Sequence, residues 1–226
     1  MSDRAPHAIA QAYLRRRYAI LFYSLLLTLG AGPLLASVGL ELGLMQLLFA
    51  ANLLAAVAPF QSGPARRTLL FVVILAGGLR LVAGWLDSPA WELAAEGVWV
   101  LVALQAVAMA LRFSLRAEAV DTEHIYAALG AYLLFGIFFG VLFWLVERLD
   151  PAALIVAGAD PGDDLSVATG IYFSFVTLAT LGYGDIVPKS DVARGLAIVE
   201  AVAGQLYLAA MVARLVSLYG PRAGRT

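Results

Sequence analysis

Residues 180–185 read Thr-Leu-Gly-Tyr-Gly-Asp and close a long apolar run. The two glycines of this stretch permit backbone dihedrals that a residue with a Cβ rarely adopts. A segment with that freedom can turn its successive carbonyl oxygens to one side. Carbonyls from several copies of the segment would then replace the water shell of an ion. The chemistry that the stretch offers is therefore coordination of a cation by backbone oxygens.

The composition of the chain indicates a membrane protein. Of its 226 residues, 62% are hydrophobic and 14% are charged, with a mean hydropathy of +0.86, whereas a soluble domain averages about 45–50% apolar and roughly 25% charged residues. Cysteine is absent, and His7 and His124 lie outside any metal-ligand spacing, so neither thiol chemistry nor a histidine metal site is predicted. The net charge of −1 gives no sign of nucleic-acid binding.

Seven segments are candidates for crossing the bilayer, which takes about 20 mostly apolar residues. The first could also be a cleaved signal peptide, but it is longer than the apolar region of a typical one. The seven segments are 18–40, 42–65, 68–86, 90–111, 125–146, 165–184 and 194–219.

The distribution of basic residues decides how segment 165–184 sits in the membrane, because arginine and lysine favour the cytoplasmic side. If the segment enters from outside and returns, eleven arginines lie inside and three basic residues lie outside. If it crosses, this asymmetry shrinks. We therefore predict an all-α membrane protein with six transmembrane helices, one re-entrant segment and both termini in the cytoplasm.

The re-entrant segment must satisfy its backbone groups at membrane depth or line a watery cavity. We predict a short helix at 166–179, because Asp163, Asp164 and Ser166 suit its N-cap and first turn. The negative end of its dipole would point to the membrane centre and attract a cation. Residues 180–184 would continue in a non-helical conformation.

The stretch "GIYFSFVTLATLGYGDIVP" resembles the pore loop of bacterial potassium channels with two or six spans, whose filter usually reads TVGYG. The resemblance covers residues 125–219 as an outer helix, a pore helix, a selectivity filter and an inner helix at 194–218. It implies a homotetramer in the bacterial inner membrane that needs no cofactor and transports K⁺. The chain departs from the usual pattern at Leu181, where the family has valine, and at Ala179, where threonine is frequent.

The resemblance also implies roles for individual residues. Gly184 would turn the chain out of the filter, and Asp185 would lie at the outer mouth. Tyr172 and Phe173 would support the filter, with a hydrogen bond between Tyr172 and Asp185. The carbonyl rings that hold K⁺ would come from Thr180, Leu181, Gly182 and Tyr183.

The predicted inner helix carries a glycine and an acid near its middle. Gly204 lies where the family has a hinge glycine, although close packing would explain it equally well. Glu200 lies one turn earlier, and an acid inside a span suggests function; we favour a structural hydrogen bond to the back of the pore helix. One face of the helix is predicted to line the pore and to close it by dewetting, through Gln205, Leu208, Val212 and Val216.

The first four spans, residues 18–112, resemble a voltage-sensor domain in span number alone. Such a sensor needs arginines at every third position of its fourth helix, whereas here the first arginines of that helix are Arg112 and Arg116 at its cytoplasmic end. We therefore expect no strong voltage gating by this route. Arg80 and Glu96 fall at similar depth in the third and fourth spans, and we predict that they form a buried charge pair.

The remaining segments are short. We expect a cytoplasmic N-terminus at 1–17, a polar linker at 113–124, and a cytoplasmic tail at 220–226 that leaves no room for a ligand-binding domain. The loop 147–164 is acidic and would concentrate cations at the outer mouth.

Two alternatives to a selective potassium channel remain at this point. A less selective cation channel would result if Leu181 loosens the filter. Residues 182–185 also match the GxGD motif of intramembrane aspartyl proteases, an enzyme class that needs a second aspartate within another span to share a proton. No predicted span contains a second aspartate, which disfavours the protease.

Overall fold

The structure is a computed structural model. It describes residues 16–36, 122–158 and 165–219, together with scattered positions between 71 and 112. The elements in chain order are α1 (Arg17–Ala36), α2 (Thr122–Leu149), β1 (Leu154–Val156), α3 (Val167–Leu178), β2 (Ile186–Pro188) and α4 (Asp191–Tyr219). Among the described residues, α2 and the Asp191–Arg214 part of α4 are long and apolar enough to cross a membrane, while α1 and α3 are apolar but shorter.

Helix α4 begins three residues before the predicted start of the inner helix, because a polar cap precedes it. The hydroxyl of Ser190 accepts a hydrogen bond from the backbone N–H of Ala193 at 3.2 Å, and the Ser190 carbonyl accepts one from Arg194 N at 3.0 Å. Ser190 thereby satisfies one of the donors that a helix N-terminus leaves open. Apolarity alone predicts that the inner helix starts at residue 194, so it does not reveal the first turn of α4.

Helix α3 begins as its sequence predicts. Ser166 is the N-cap residue, in an extended conformation, and its hydroxyl accepts a hydrogen bond from Thr169 N at 3.1 Å. The predicted contributors Asp163 and Asp164 lie outside the described residues. At its other end the helix stops at Leu178, and Ala179 is the C-cap.

Helices α2 and α3 cross at small residues. A Cβ on Gly140 would overlap the backbone of Ile171, and a Cβ on Gly170 would lie 2.5 Å from the carbonyl oxygen of Gly140. One turn away, the Ser174 hydroxyl donates to the Gly136 carbonyl at 2.6 Å. Helices in a membrane associate through close packing and hydrogen bonds rather than through the hydrophobic effect. The glycines therefore set how closely α3 approaches α2.

An apolar cluster joins helices α2, α3 and α4 to the two strands. Phe143 on α2 is fully buried and lies edge-to-face against Phe173 of α3, with 4.7 Å between ring centroids. Leu154, Ile186 and Ala193 belong to the same cluster and come from β1, β2 and α4. The cluster therefore anchors the chain on both sides of residues 180–185.

Strands β1 and β2 form an antiparallel pair, in which Leu154 lies opposite Pro188 and Val156 lies opposite Ile186. The backbone continues this pairing, since Ala157 N donates to the carbonyl of Asp185 at 2.7 Å. The described residues are predominantly helical, as predicted, but this strand pair was not anticipated. Three-residue strands give too short an alternation to be recognised in an apolar sequence.

A carboxylate organises the turn before β1. The Glu147 side chain accepts hydrogen bonds from Ala152 N at 2.9 Å and from Leu154 N at 2.7 Å. Ala152 adopts a φ of +89°, which is rare for a residue with a Cβ. The two hydrogen bonds hold this turn and the strand that follows it.

Helix α1 packs along the first turns of α2. Its buried side chains Tyr18, Leu21 and Leu25 share an apolar cluster with Leu134 of α2. At the end of this contact, Tyr18 N donates to a carboxylate oxygen of Glu123 at 3.0 Å. Of the predicted four-helix domain at 18–112, this first helix is the part that the structure describes continuously.

We predict that Gly140→Ala destabilises the protein, because the added methyl group would overlap the α3 backbone. Overpacking of this kind costs about 1–3 kcal/mol. The measurement is thermal unfolding of the detergent-solubilised protein. Gly130→Ala is the matched control, since a Cβ on Gly130 meets nothing within 4 Å, and it should leave the melting temperature unchanged or raise it. Equal effects of the two substitutions would contradict the crossing geometry.

Candidate functional site

Residues 180–184 leave the C-terminal end of α3 without forming another helical turn. Thr180 N donates to the Thr177 carbonyl at 3.0 Å, and Leu181 N donates to the Val176 carbonyl at 2.9 Å. These bonds use carbonyls from the last turn of α3, where the helix dipole is negative. The segment therefore starts at a point that attracts positive charge.

The backbone of residues 180–184 alternates between positive and negative φ. Thr180, Gly182 and Gly184 have φ values of +57°, +58° and +77°, whereas φ is negative at Leu181 and Tyr183. A left-handed residue at every second position prevents the segment from continuing as a right-handed helix. The unusual dihedrals that the sequence predicts at the two glycines are present.

Thr180 was not expected to share this conformation. A positive φ is an outlier for a β-branched residue, and the left-handed conformation costs about 1–2 kcal/mol when a Cβ is present. The hydrogen bond of its own N–H to Thr177, and that of the next residue to Val176, hold the strained residue in place. Strain of this kind concentrates at functional sites.

The positive φ of the backbone, and not a lack of space for a side chain, explains why residues 182 and 184 are glycines. A Cβ built on Gly182 or on Gly184 meets nothing within 4 Å in the single chain. The neighbouring side chains are also open, since Leu181 and Tyr183 are 54% and 66% exposed. One chain therefore leaves this segment uncovered.

The hydrogen bond predicted between Tyr172 and Asp185 is present. The Tyr172 hydroxyl donates to Asp185 Oδ2 at 2.7 Å, and Asp185 Oδ1 accepts from Ile186 N at 3.0 Å. Phe173 is buried against Phe143 of α2 and belongs to the same apolar cluster as Ile186; its support of residues 180–184 stays a prediction.

Helix α4 touches the end of α3 through a glycine. A Cβ on Gly204 would overlap the side chain of Leu178, so this residue permits close packing, the second of the two interpretations of Gly204. Next to it, Gln205 Nε2 donates to the Leu178 carbonyl at 3.4 Å, and the Tyr132 hydroxyl of α2 donates to the same oxygen at 3.4 Å. Three helices therefore meet at the last turn of α3.

The other residues predicted to line a pore are only partly described. Leu208 is half-buried and Val212 is exposed in the single chain. The side chain of Val216 and the predicted pair Arg80 and Glu96 lie outside the described residues.

Glu200 is fully buried, and its carboxyl group is hydrogen-bonded to the Ser174 hydroxyl on α3. The hydrogen bond expected between Glu200 and the back of the pore helix is therefore present. The sequence analysis missed Ser174 and the glycines Gly136 and Gly140 of α2. The signal for the glycines was their spacing of four residues, which is typical of close helix contacts in membranes.

Side-chain metal ligands do not form a site in the described residues, where no group of three or more His, Cys, Asp or Glu residues could hold an ion. The donors at hand are the backbone carbonyls of residues 180–184. A backbone carbonyl oxygen can replace a water molecule in the hydration shell of a cation.

The part of the chain that contains this site is similar to known proteins. Residues 127–220 match a family described as ion channels. A voltage-gated potassium channel of Escherichia coli K-12, Kch, is 34% identical over 101 residues, which cover 45% of this chain and 22% of that protein. The match thus spans about a fifth of the length of the relative. No solved structure matches the chain significantly.

Both matches concern ion channels. The family match runs from the first buried turn of α2 to the end of α4 and includes residues 180–185. The site described above and the channel family therefore occupy the same part of the chain.

We predict that Tyr172→Phe loosens the backbone that follows residue 184, because Asp185 loses the hydrogen bond from the Tyr172 hydroxyl. Amide hydrogen exchange at Ala157 and Ile186, whose N–H groups bond to Asp185, should become about two- to fivefold faster. Tyr23→Phe is the matched control, because the hydroxyl of Tyr23 bonds to Tyr126 on the opposite part of the structure. Unchanged exchange in Tyr172→Phe would show that this bond does not hold Asp185.

Proposed function

We propose that the protein is a potassium-selective channel through which K⁺ crosses the membrane passively. The observation that carries the proposal is the alternating sign of φ along residues 180–184, directly after the C-terminal end of the short helix α3. In this proposal, the carbonyl oxygens of four residues replace the hydration shell of K⁺: Thr180, Leu181, Gly182 and Tyr183.

The proposal includes assembly of four copies around the filter. One chain presents its carbonyls from one side, so it supplies a quarter of each ring. The open surface around Leu181 and Tyr183 would be covered by the neighbouring copies. Apolar residues on α4 are also exposed in the single chain and would face copies or lipid, namely Ile198, Val199, Val202 and Leu206.

The proposed topology has six spans with both termini in the cytoplasm of a bacterium. The support is the excess of arginine on one side of the predicted spans. The relative from E. coli is named a voltage-gated channel, but the fourth predicted span of this chain has no arginine before Arg112. We therefore propose that this channel is not strongly gated by voltage.

A weakly selective cation channel is the second candidate, and Leu181 is the observation that favours it. Its side chain is longer than the usual valine and finds no cover within the single chain. An aspartyl protease has less support. Asp185 is held by Tyr172 and Ile186, and the described spans α2 and α4 contain no aspartate beyond Asp191 in the first turn of α4.

The test is the reversal potential of the purified protein in a planar bilayer with K⁺ on one side and Na⁺ on the other. We expect a value near the potassium equilibrium potential. A clear current that reverses near zero would instead identify the weakly selective channel. Absence of current at any voltage, from protein that elutes as a tetramer, would contradict both.

Substitutions of glycine provide a matched control for this measurement. Gly182→Ala places a Cβ at a φ of +58° and should abolish the selective current, because the carbonyl rings lose their alignment. Gly195→Ala places a Cβ in open space on α4 and should leave the current unchanged. Loss of current in both would indicate a general folding defect.

A further inference from the structure

Three oxygen atoms from three helices meet behind the filter. They belong to the Gly136 carbonyl on α2, the Ser174 hydroxyl on α3 and the Glu200 carboxyl group on α4. Ser174 Oγ lies 2.6 Å from the Gly136 oxygen, and it is also hydrogen-bonded to Glu200 Oε1. Both side chains are 0% exposed, so water does not mediate these contacts.

The number of hydrogen atoms available for these two contacts decides whether Glu200 is protonated. A serine hydroxyl donates one hydrogen, and a backbone carbonyl only accepts. If Ser174 donates to Gly136, the contact between Ser174 and Glu200 needs a hydrogen from Glu200. If Ser174 donates to Glu200 instead, two acceptor oxygens face each other at 2.6 Å with no hydrogen between them. A protonated Glu200 fills both contacts.

The surroundings of Glu200 favour the same state. Its second oxygen, Oε2, has no hydrogen-bond partner among the described residues, and no Lys or Arg of the described ranges forms an ion pair with it. Tyr132 on α2 lies close enough to interact electrostatically, but its hydroxyl donates to the Leu178 carbonyl. A buried carboxylate with one hydrogen bond and no cation is costly, whereas a neutral acid is much less so.

We propose that Glu200 is a neutral carboxylic acid whose proton is donated to Ser174, and that this bond positions the inner helix α4 against the pore helix α3. The order of donation is Glu200 to Ser174 to the Gly136 carbonyl. One turn further along α4, Gly204 packs on Leu178 at the end of α3, where the filter begins. The bond therefore sets the height of α4 relative to the filter, and this second part of the inference rests on the proposed channel function.

The variants Glu200→Gln and Glu200→Leu separate the charge state of the side chain from its hydrogen bond to Ser174. In Glu200→Gln the side chain stays neutral and its amide N–H can donate to Ser174, so the link persists. In Glu200→Leu a similar volume remains but the donor is lost. In Ser174→Ala the acid keeps its proton but loses its acceptor.

The protonation state is tested by infrared spectroscopy of the full-length protein in lipid vesicles at neutral pH. The wild type should show the carbonyl stretch of a protonated carboxyl group, and Glu200→Gln should lack it. Ser174→Ala should keep the band at a shifted frequency, because its hydrogen bond is lost. Glu147→Gln is the control: both carboxylate oxygens of Glu147 accept hydrogen bonds from backbone N–H groups, so its replacement should leave the band unchanged.

A spectrum of the wild type that Glu200→Gln does not alter would overturn the proposal, because it would mean that Glu200 is ionised. This arm does not depend on conduction, so it remains valid if the proposed channel function fails.

Flux of K⁺ into vesicles tests the positioning role. Glu200→Gln should stay within about twofold of the wild type, whereas Glu200→Leu should lose about fivefold, the effect of one hydrogen bond on an equilibrium. If Glu200→Leu does not assemble, Ser174→Ala serves in its place with the same expectation. Equal flux in the variants with and without the donor would refute the positioning role.

Discussion

A chain that leaves a helix inside a membrane carries carbonyl oxygens that its own N–H groups cannot satisfy. Residues 180–184 alternate in the sign of φ, and in the proposed channel this alternation would collect the unsatisfied oxygens on one side instead of scattering them into an apolar environment. The proposed passage of K⁺ is the consequence, because a cation is the partner that such a row of oxygens accepts. The rest of the described structure keeps this one segment in place.

Different devices hold the two ends of the segment. Before residue 180, Gly140 and Gly170 bring α3 against α2, and Gly204 brings α4 against Leu178. After residue 184, the pairing of β1 with β2 fixes the chain directly after Asp185. A strained conformation persists only when its surroundings over-determine it, and these contacts supply that restraint to Thr180.

The sequence predicted those features that depend on local chemistry. Positive φ at Gly182 and Gly184, the Ser166 cap and the bond from Tyr172 to Asp185 follow from residue types at short spacing or from the resemblance of the stretch. The meeting of Gly136 with Ser174 was missed because it depends on how helices pack. The strained Thr180 and the partners of Glu147 were missed although their contacts are local, because neither residue type signals that conformation. The predicted pair of Arg80 and Glu96 falls outside the described residues and stays a prediction.

The most direct test of the account is to locate the bound ions. Crystals of the full-length protein grown with Tl⁺ in place of K⁺ would give anomalous density wherever the ion is coordinated. The account predicts a row of peaks on a four-fold axis, level with the carbonyl oxygens of residues 180–183. A tetramer with no peaks along this segment, or with peaks only at the acidic outer loop, would contradict it.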